Sequence, residues 1–219
     1  MSNKERVLVF GANSYIASSF IEKYQDTYEF IQVSRQKKKQ HIFFDFLKED
    51  ELNLMIDQLP NNISAVLFAQ GINPSVGAEN MSVEHFMKMM KVNIITPSLL
   101  VRGLKNKVAS STSFIFFSSI SKLKGSYDPA YAAAKSATDG LLFSLAKAYP
   151  KWRFNQLSLG LVENSPVHRE MTDDFIERHT SHMHNNELVN VDNVLSMLSE
   201  MIRNKNMHLA DIKLDGGYV

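Results

Sequence analysis

The stretch "VLVFGANSYIASSF" (residues 7–20) decides the fold. Its first four residues are all apolar, so a strand built from them is buried on both faces, as in a parallel sheet covered by helices on each side. The strand "RVLVFG" (6–11) ends at Gly11, and "SYIASSFIEKYQ" (14–25) then carries Ile16, Phe20, Ile21 and Tyr24 at helical spacing. A strand, a short turn and a helix in that order aim free backbone N–H groups and the positive helix end at one point, which suits a pyrophosphate. The dinucleotide fingerprint has three glycines there; here Gly11 is the only one, with Tyr15 and Ala17 at the other two positions. Ala17 still allows close helix–strand packing, whereas Tyr15 puts a side chain where backbone would approach phosphate. Taken alone, the turn suits an ordinary strand-to-helix connection as well as a nucleotide site.

Outward from this unit the alternation continues. Strands are expected at 29–34, 41–46, 63–71, 112–121, 153–162 and 208–217. Helices are expected at 48–60, 83–108 (interrupted by Pro97), 129–150 and 190–205. Regular alternation predicts an α/β, Rossmann-like, doubly wound fold: a seven-stranded parallel sheet with helices on both faces, joined by right-handed crossovers. The 219 residues suit one domain, 1–219. The alternation lapses in the polar stretch around 169–187, and a substrate flap is expected at about 164–187, with His168, His179, His182 and His184 solvated rather than bound to metal. Met87, Met89 and Met90 are expected as core or interface filler.

Bulk properties exclude several classes. The net charge of +1 implies no nucleic acid or other polyanion partner. No cysteine is present, so disulfides and thiolate metal sites are excluded. No apolar run reaches the roughly 20 residues that span a bilayer, and the N-terminus has no signal-peptide pattern. A cytoplasmic protein with no membrane association is the expectation.

Two further stretches carry chemistry. The second strand ends "VSRQKKK" (33–39) with no carboxylate to hold ribose hydroxyls, whereas Ser34 and Arg35 suit a 2′-phosphate and Lys37 to Lys39 add positive potential. This favours NADP(H), with NAD(H) possible and a solvated basic turn as the plain alternative. In "PAYAAAKSATDG" (129–140), Tyr131 and Lys135 lie one turn apart on one helix face. An ammonium beside a phenol lowers a pKa that starts near ~10 and makes the phenol a general acid or base near neutrality. Pairs at this spacing also occur on amphipathic helices with no chemical role; position separates the readings. This helix follows a strand ending in the serines of "FFSSISK" (116–122), and strand carboxyl ends line the ligand crevice of such a sheet.

With these segments in order, the chain resembles the short-chain dehydrogenase/reductase family over essentially its whole length. "YAAAK" (131–135) is similar to the family's Tyr-x-x-x-Lys, "FIFFSS" (114–119) to its serine strand and "KVNIITP" (91–97) to the helix carrying its active-site asparagine. "LFAQGI" (67–72) resembles the Asn-Asn-Ala-Gly segment with only Gly71 matching, and "NQLSLGLVENSPV" (155–167) keeps Gly160 with Leu159 in place of proline. "IKLDGGYV" (212–219) is similar to the C-terminal strand and its Asp-Gly-Gly.

The resemblance implies an oxidoreductase that moves a hydride between a nicotinamide and a small ketone or secondary alcohol. Tyr131 would exchange the proton with the substrate oxygen. Lys135 would bind the nicotinamide ribose and lower the Tyr131 pKa. Asn93 would hold a water linking Lys135 to solvent. Ser119 would polarise the carbonyl, with Ser118 in reserve and Ser121 behind it. Cofactor contacts would come from Gly11, Asn13, Ser14, Tyr15, Ile16, Ser34, Arg35, Asp45, Phe46, Ala69, Gln70, Gly71, Leu161 and Val162, with Asn164 or Ser165 replacing a family threonine. A homodimer or homotetramer is implied. The alternative is a non-catalytic nucleotide-binding or scaffold protein of the same fold.

Overall fold

A computed structural model describes residues 4–72 and 76–218. Seven strands form one all-parallel sheet in the order β3-β2-β1-β4-β5-β6-β7. They are β1 (Glu5–Phe10), β2 (Tyr28–Ser34), β3 (His41–Phe43), β4 (Ile63–Phe68), β5 (Val108–Ser119), β6 (Arg153–Leu159) and β7 (Asp211–Leu214). The chain runs from β1 outward to β3, then crosses back to β4 on the other side of β1. The switch point therefore lies between β1 and β4, the position at which an open α/β sheet leaves a crevice at its strand ends.

The helices are α1 (Tyr15–Tyr24), α2 (Leu52–Asp57), α3 (Val83–Met90), α4 (Thr96–Gly103), α5 (Ser121–Lys124), α6 (Pro129–Ala148), α7 (Pro166–Arg169), α8 (Asp173–Thr180) and α9 (Val191–Arg203). Alternate residues of the central strands feed two separate cores. Leu8 and Phe10 of β1, Val66 and Phe68 of β4, and Phe114 and Phe116 of β5 pack with Met55, Leu100 and Leu142 from α2, α4 and α6. Val7 and Val9, Ala65 and Leu67, and Ile115 pack with Phe20, Leu195 and Leu198 from α1 and α9. Both faces are dry, which is why these strands read as continuous apolar runs rather than alternating ones.

The structure corrects the expected elements in three places. The long helix expected over 83–108 breaks before Pro97, where Lys91–Ile95 form a π-helical segment between α3 and α4. Pro97 itself sits in the first turn of α4, where its missing N–H costs nothing. The third and seventh strands are cut to 41–43 and 211–214. Finally, the polar stretch expected as a flap carries two short helices, α7 and α8, each N-capped by a hydroxyl: Ser165 accepts from the His168 N–H and Thr172 from the Phe175 N–H.

Candidate active site

The β1–α1 turn is built around Gly11. Its φ is +75°, and a Cβ there would lie 2.5 Å from the Gln70 nitrogen at the end of β4. No other residue type fits both demands. The Gly11 and Ala12 N–H groups donate to Val33 O, which ties the turn to β2. Asn13 Nδ2 donates to Gln36 Oε1 (3.0 Å), leaving its Oδ1 buried with no partner. Ser14, at the N-cap of α1, makes no capping bond, and its Oγ is buried and unpartnered. Tyr15 and Ile16 pack against the α1/α9 core, so the tyrosine that replaces a glycine is absorbed by packing.

At the end of β2, Ser34 is buried and its hydroxyl is engaged locally, with Gln36 O (2.9 Å) and with His41 Nδ1 (3.0 Å). Arg35 is exposed on the turn beyond it. Asp45 Oδ1 accepts the Leu47 N–H (3.0 Å). Phe46 is buried edge-on against Phe10 and Phe44, and its carbonyl accepts from Thr96 Oγ1.

β4 runs out at Ala69, whose N–H donates to Phe10 O. Gln70 then turns toward the π-helical segment: its Nε2 donates to Val92 O (3.2 Å) and its Oε1 is buried without a partner. Gly71 is exposed with open space around its Cα, so nothing steric requires glycine there. Asn93 sits within the π-helical segment, 6% exposed, with Nδ2 donating to Met89 O and Oδ1 buried and unpaired. Single π turns inside helices recur at functional sites because the shifted bonding re-aims side chains.

Tyr131 and Lys135 lie in the first half of α6. Asp128 caps that helix, its Oδ1 accepting the Tyr131 N–H (3.1 Å). Ser119 lines the same cleft as the Tyr131 phenol. Ser119 Oγ donates to Ser121 Oγ (3.1 Å) and accepts the Ser121 N–H. Ser118 is buried with its Oγ unpartnered. Lys135 is 6% exposed, and its Nζ donates to Phe117 O of β5 (2.8 Å).

The expected depression of the phenol pKa by Lys135 is not what the structure holds. Burial lifts the Tyr131 phenol above its ordinary value, and the nearby Ser119 acts in the opposite sense. The Lys135 ammonium lies 5.6 Å from the Tyr131 ring centroid and donates its hydrogen bond to a strand carbonyl instead. Burial pushes the Lys135 amine down to about 8. Both groups are thus held toward neutrality by dehydration.

Ser118, Ser119 and Tyr131 open on a cleft of about 1100 Å³ at the carboxyl ends of β5 and β6. Its walls include Ile16, both serines, Tyr131 and Leu161, and α8 lies along one side. Leu161 O accepts the Val189 N–H, and Val162 bridges Val189 in parallel, which fixes the chain after β6. Gly160 lies so close to the C-terminal segment that a Cβ would sit 3.0 Å from Asp215 Cα. Asn164 donates its N–H to His168 Nδ1, and Ser165 lines the cleft beside it. His179 departs from the solvated expectation. Its Nε2 is buried and unpartnered, and its ring stacks between Phe175 and Tyr218.

Sequence reasoning missed two supports of the site. Lys122, its side chain 2% exposed, bridges Asp139 of α6 (2.6 Å) and Asp211 of β7 (2.8 Å) and so anchors α5 beneath the cleft. His85 Nε2 pairs with Asp128 Oδ2 (2.6 Å), linking α3 to the cap of α6. The Asp-Pro at 128–129 signals that cap in the sequence; nothing signals its partner 43 residues away.

Among the described residues, five of the eight buried polar atoms without partners belong to Asn13, Ser14, Gln70, Asn93 and Ser118. These lie along the strand ends and the π-helical segment rather than scattered through the core. Orphaned polar atoms at the ends of neighbouring strands suit a polar ligand that would satisfy them, and a dinucleotide fits that requirement.

A family model described as "Enoyl-(Acyl carrier protein) reductase" matches residues 21–219. Among curated proteins none matches by sequence. Solved structures match over nearly the whole chain. One is a protein from Brucella melitensis titled "Short-chain dehydrogenase/reductase SDR:Glucose/ribitol dehydrogenase", with TM-score 0.87, 16% identity, and coverage of 97% of this chain and 96% of that one. A short chain dehydrogenase family protein from Francisella tularensis has TM-score 0.87, 18% identity and 99% coverage of both chains. A 4-hydroxyisoleucine dehydrogenase complexed with NADH has TM-score 0.84, 19% identity and 99% coverage of both. At these identities the likeness establishes a shared fold.

Proposed function

Because the chain belongs to the short-chain dehydrogenase/reductase family, we propose that it is an NAD(P)-dependent oxidoreductase, preferring NADPH, that interconverts a small ketone and a secondary alcohol. The observation that carries this reading is that Ser119 and the Tyr131 phenol line one cleft, with Lys135 buried one helical turn from Tyr131 and bonded to Phe117 O. A scaffold has no use for a dehydrated lysine beside such a pair. The dehydrogenase of the same fold solved with NADH supports a nicotinamide cofactor.

The Gly11 turn, with Asn13 and Ser14, would hold the pyrophosphate, and Arg35 would meet a 2′-phosphate. Asp45 and Phe46 would lie toward the adenine; Ala69, Gln70, Gly71, Leu161 and Val162 would flank the far half. When bound, the nicotinamide supplies the reducing equivalents for the carbonyl carbon. The protein's own part is proton handling. Tyr131 keeps its proton at neutral pH and delivers it to the substrate oxygen at the phenol Oη. Ser119 donates a hydrogen bond to that oxygen as charge builds on it. Lys135, with a pKa of about 8, is largely an ammonium at neutral pH, and in that form it can return a proton to the phenolate. Asn93 Oδ1 supplies an acceptor for a water between Lys135 and solvent.

NADPH consumption with a panel of small ketones tests the reading. Tyr131→Phe should lower kcat/KM by at least about 100-fold, and Ser119→Ala should cost more than Ser118→Ala. Collapse of Ser118→Ala with near-normal turnover by Ser119→Ala reverses the serine assignment. Failure of either nicotinamide cofactor to bind by fluorescence or calorimetry returns the scaffold alternative.

A further inference from the structure

The outer arm of the cleft, carried by α5, α8 and the C-terminal segment, has a chemistry of its own. Lys124 Nζ stands 3.6 Å from the centroid of the Tyr218 ring. His179 and His182 flank the same ring, at 4.9 Å and 5.6 Å between centroids. All four residues line the cleft that holds Ser119 and Tyr131. His179 Nε2 is buried and lacks a hydrogen-bond partner among the described residues.

Glu170 is the one carboxylate among the described lining residues, against the two cations Lys124 and Arg178. Arg178 is answered by Asp174 (2.6 Å) in an exposed pair, whereas Lys124 has no carboxylate partner among the described residues. Burial, and then the neighbouring Lys124 ammonium, hold the His179 imidazole down to about 4.

We propose that Lys124, with His179 and His182, forms an anion-binding arm that selects a carbonyl substrate bearing a carboxylate, making the substrate a small oxo acid and the product its hydroxy acid. This rests on the oxidoreductase reading of the same cleft. A metal cation is opposed by the ammonium that already bears on the imidazoles. A phosphate dianion would ask for a free guanidinium fork, and the one present is paired. One ammonium plus imidazole N–H donors matches a monoanion, and the aromatic wall of Phe175 and Tyr218 matches a short apolar chain between the two polar ends.

The probes are 4-oxopentanoate and its methyl ester, which share the carbonyl and differ in charge. Their binding to the chain saturated with NADPH, or to the chain alone where the cofactor does not bind, is measured by calorimetry, with turnover measured separately. The acid should bind at least about tenfold tighter than the ester. Lys124→Met should bring that ratio to within about twofold, and Lys124→Arg should retain most of it, with circular dichroism checking that both variants fold. Equal affinity for acid and ester, no binding of the acid below ~10 mM, or an unchanged ratio in Lys124→Met overturns the proposal. Tighter acid binding without turnover by NADPH or NADH leaves the anion arm standing and removes the oxidoreductase reading. Equal turnover and binding of both probes does the reverse.

Discussion

Replacing Lys135 with methionine should make the protein more stable and destroy its activity. The amine falls from 10.5 to about 8 through burial, a shift of about 2.5 units, and at 1.36 kcal/mol per unit this is about 3 kcal/mol held against folding near neutrality. Methionine removes that penalty but leaves Phe117 O without its donor, which returns about 1 kcal/mol. The net gain at pH 7 is therefore about 2 kcal/mol, or roughly 5 °C in Tm for a domain of this size. The pH dependence fixes the cause. Below about pH 8 both folded and unfolded wild-type chains hold the proton, so the penalty is constant. Between about 8 and 10.5 the unfolded chain binds more protons, so wild-type stability climbs with pH and the advantage of the variant shrinks toward zero or below. Urea unfolding of both proteins at pH 7, 8, 9 and 10, with carbonyl reduction assayed alongside, measures the difference. A variant less stable than wild type at pH 7, or a difference flat across this range, refutes the reasoning.

Gly11→Ala should cost about 2–4 kcal/mol and abolish nucleotide binding, because it forces a side chain to φ +75° and to 2.5 Å from Gln70 N; thermal unfolding and a fluorescence titration with NADPH read the two effects. Asp128→Ala removes the cap of α6 and the partner of His85 and should cost about 1–2 kcal/mol in urea unfolding. Burial would raise the Asp128 carboxyl, but the Tyr131 N–H and His85 overcome it and hold it below its ordinary 3.8. Its contribution is thus complete above about pH 4 and lost as pH falls through the lower folded value, so the variant should lose less stability on acidification below pH 4 than wild type. Arg35→Asp should shift the ratio of kcat/KM for NADPH over NADH by at least about tenfold toward NADH; an unchanged ratio removes Arg35 from the 2′-phosphate contact.

The sequence alone determined the sheet and where its crevice lies. Runs such as Val7 to Phe10 and Ala65 to Phe68 are apolar at every position, which only a strand covered on both faces tolerates, and the helices between them leave one handedness of crossover. Gly11 was legible for the same local reason. The short edge strands and the π-helical segment at Lys91–Ile95 were not, because hydrogen-bond register depends on what packs alongside. Only the tertiary structure decided the electrostatics. The spacing of Tyr131 and Lys135 puts them on one face, but burial acts on each separately and sends the ammonium to Phe117 O, 18 residues back in the chain. The partnership of His85 with Asp128, the bridge from Lys122 to Asp139 and Asp211, and the gathering of Lys124, His179 and Tyr218 join segments far apart in sequence. Periodicity reports which side of its own element a residue occupies; how much water and which charge it finds there is set by chain that folds in from elsewhere.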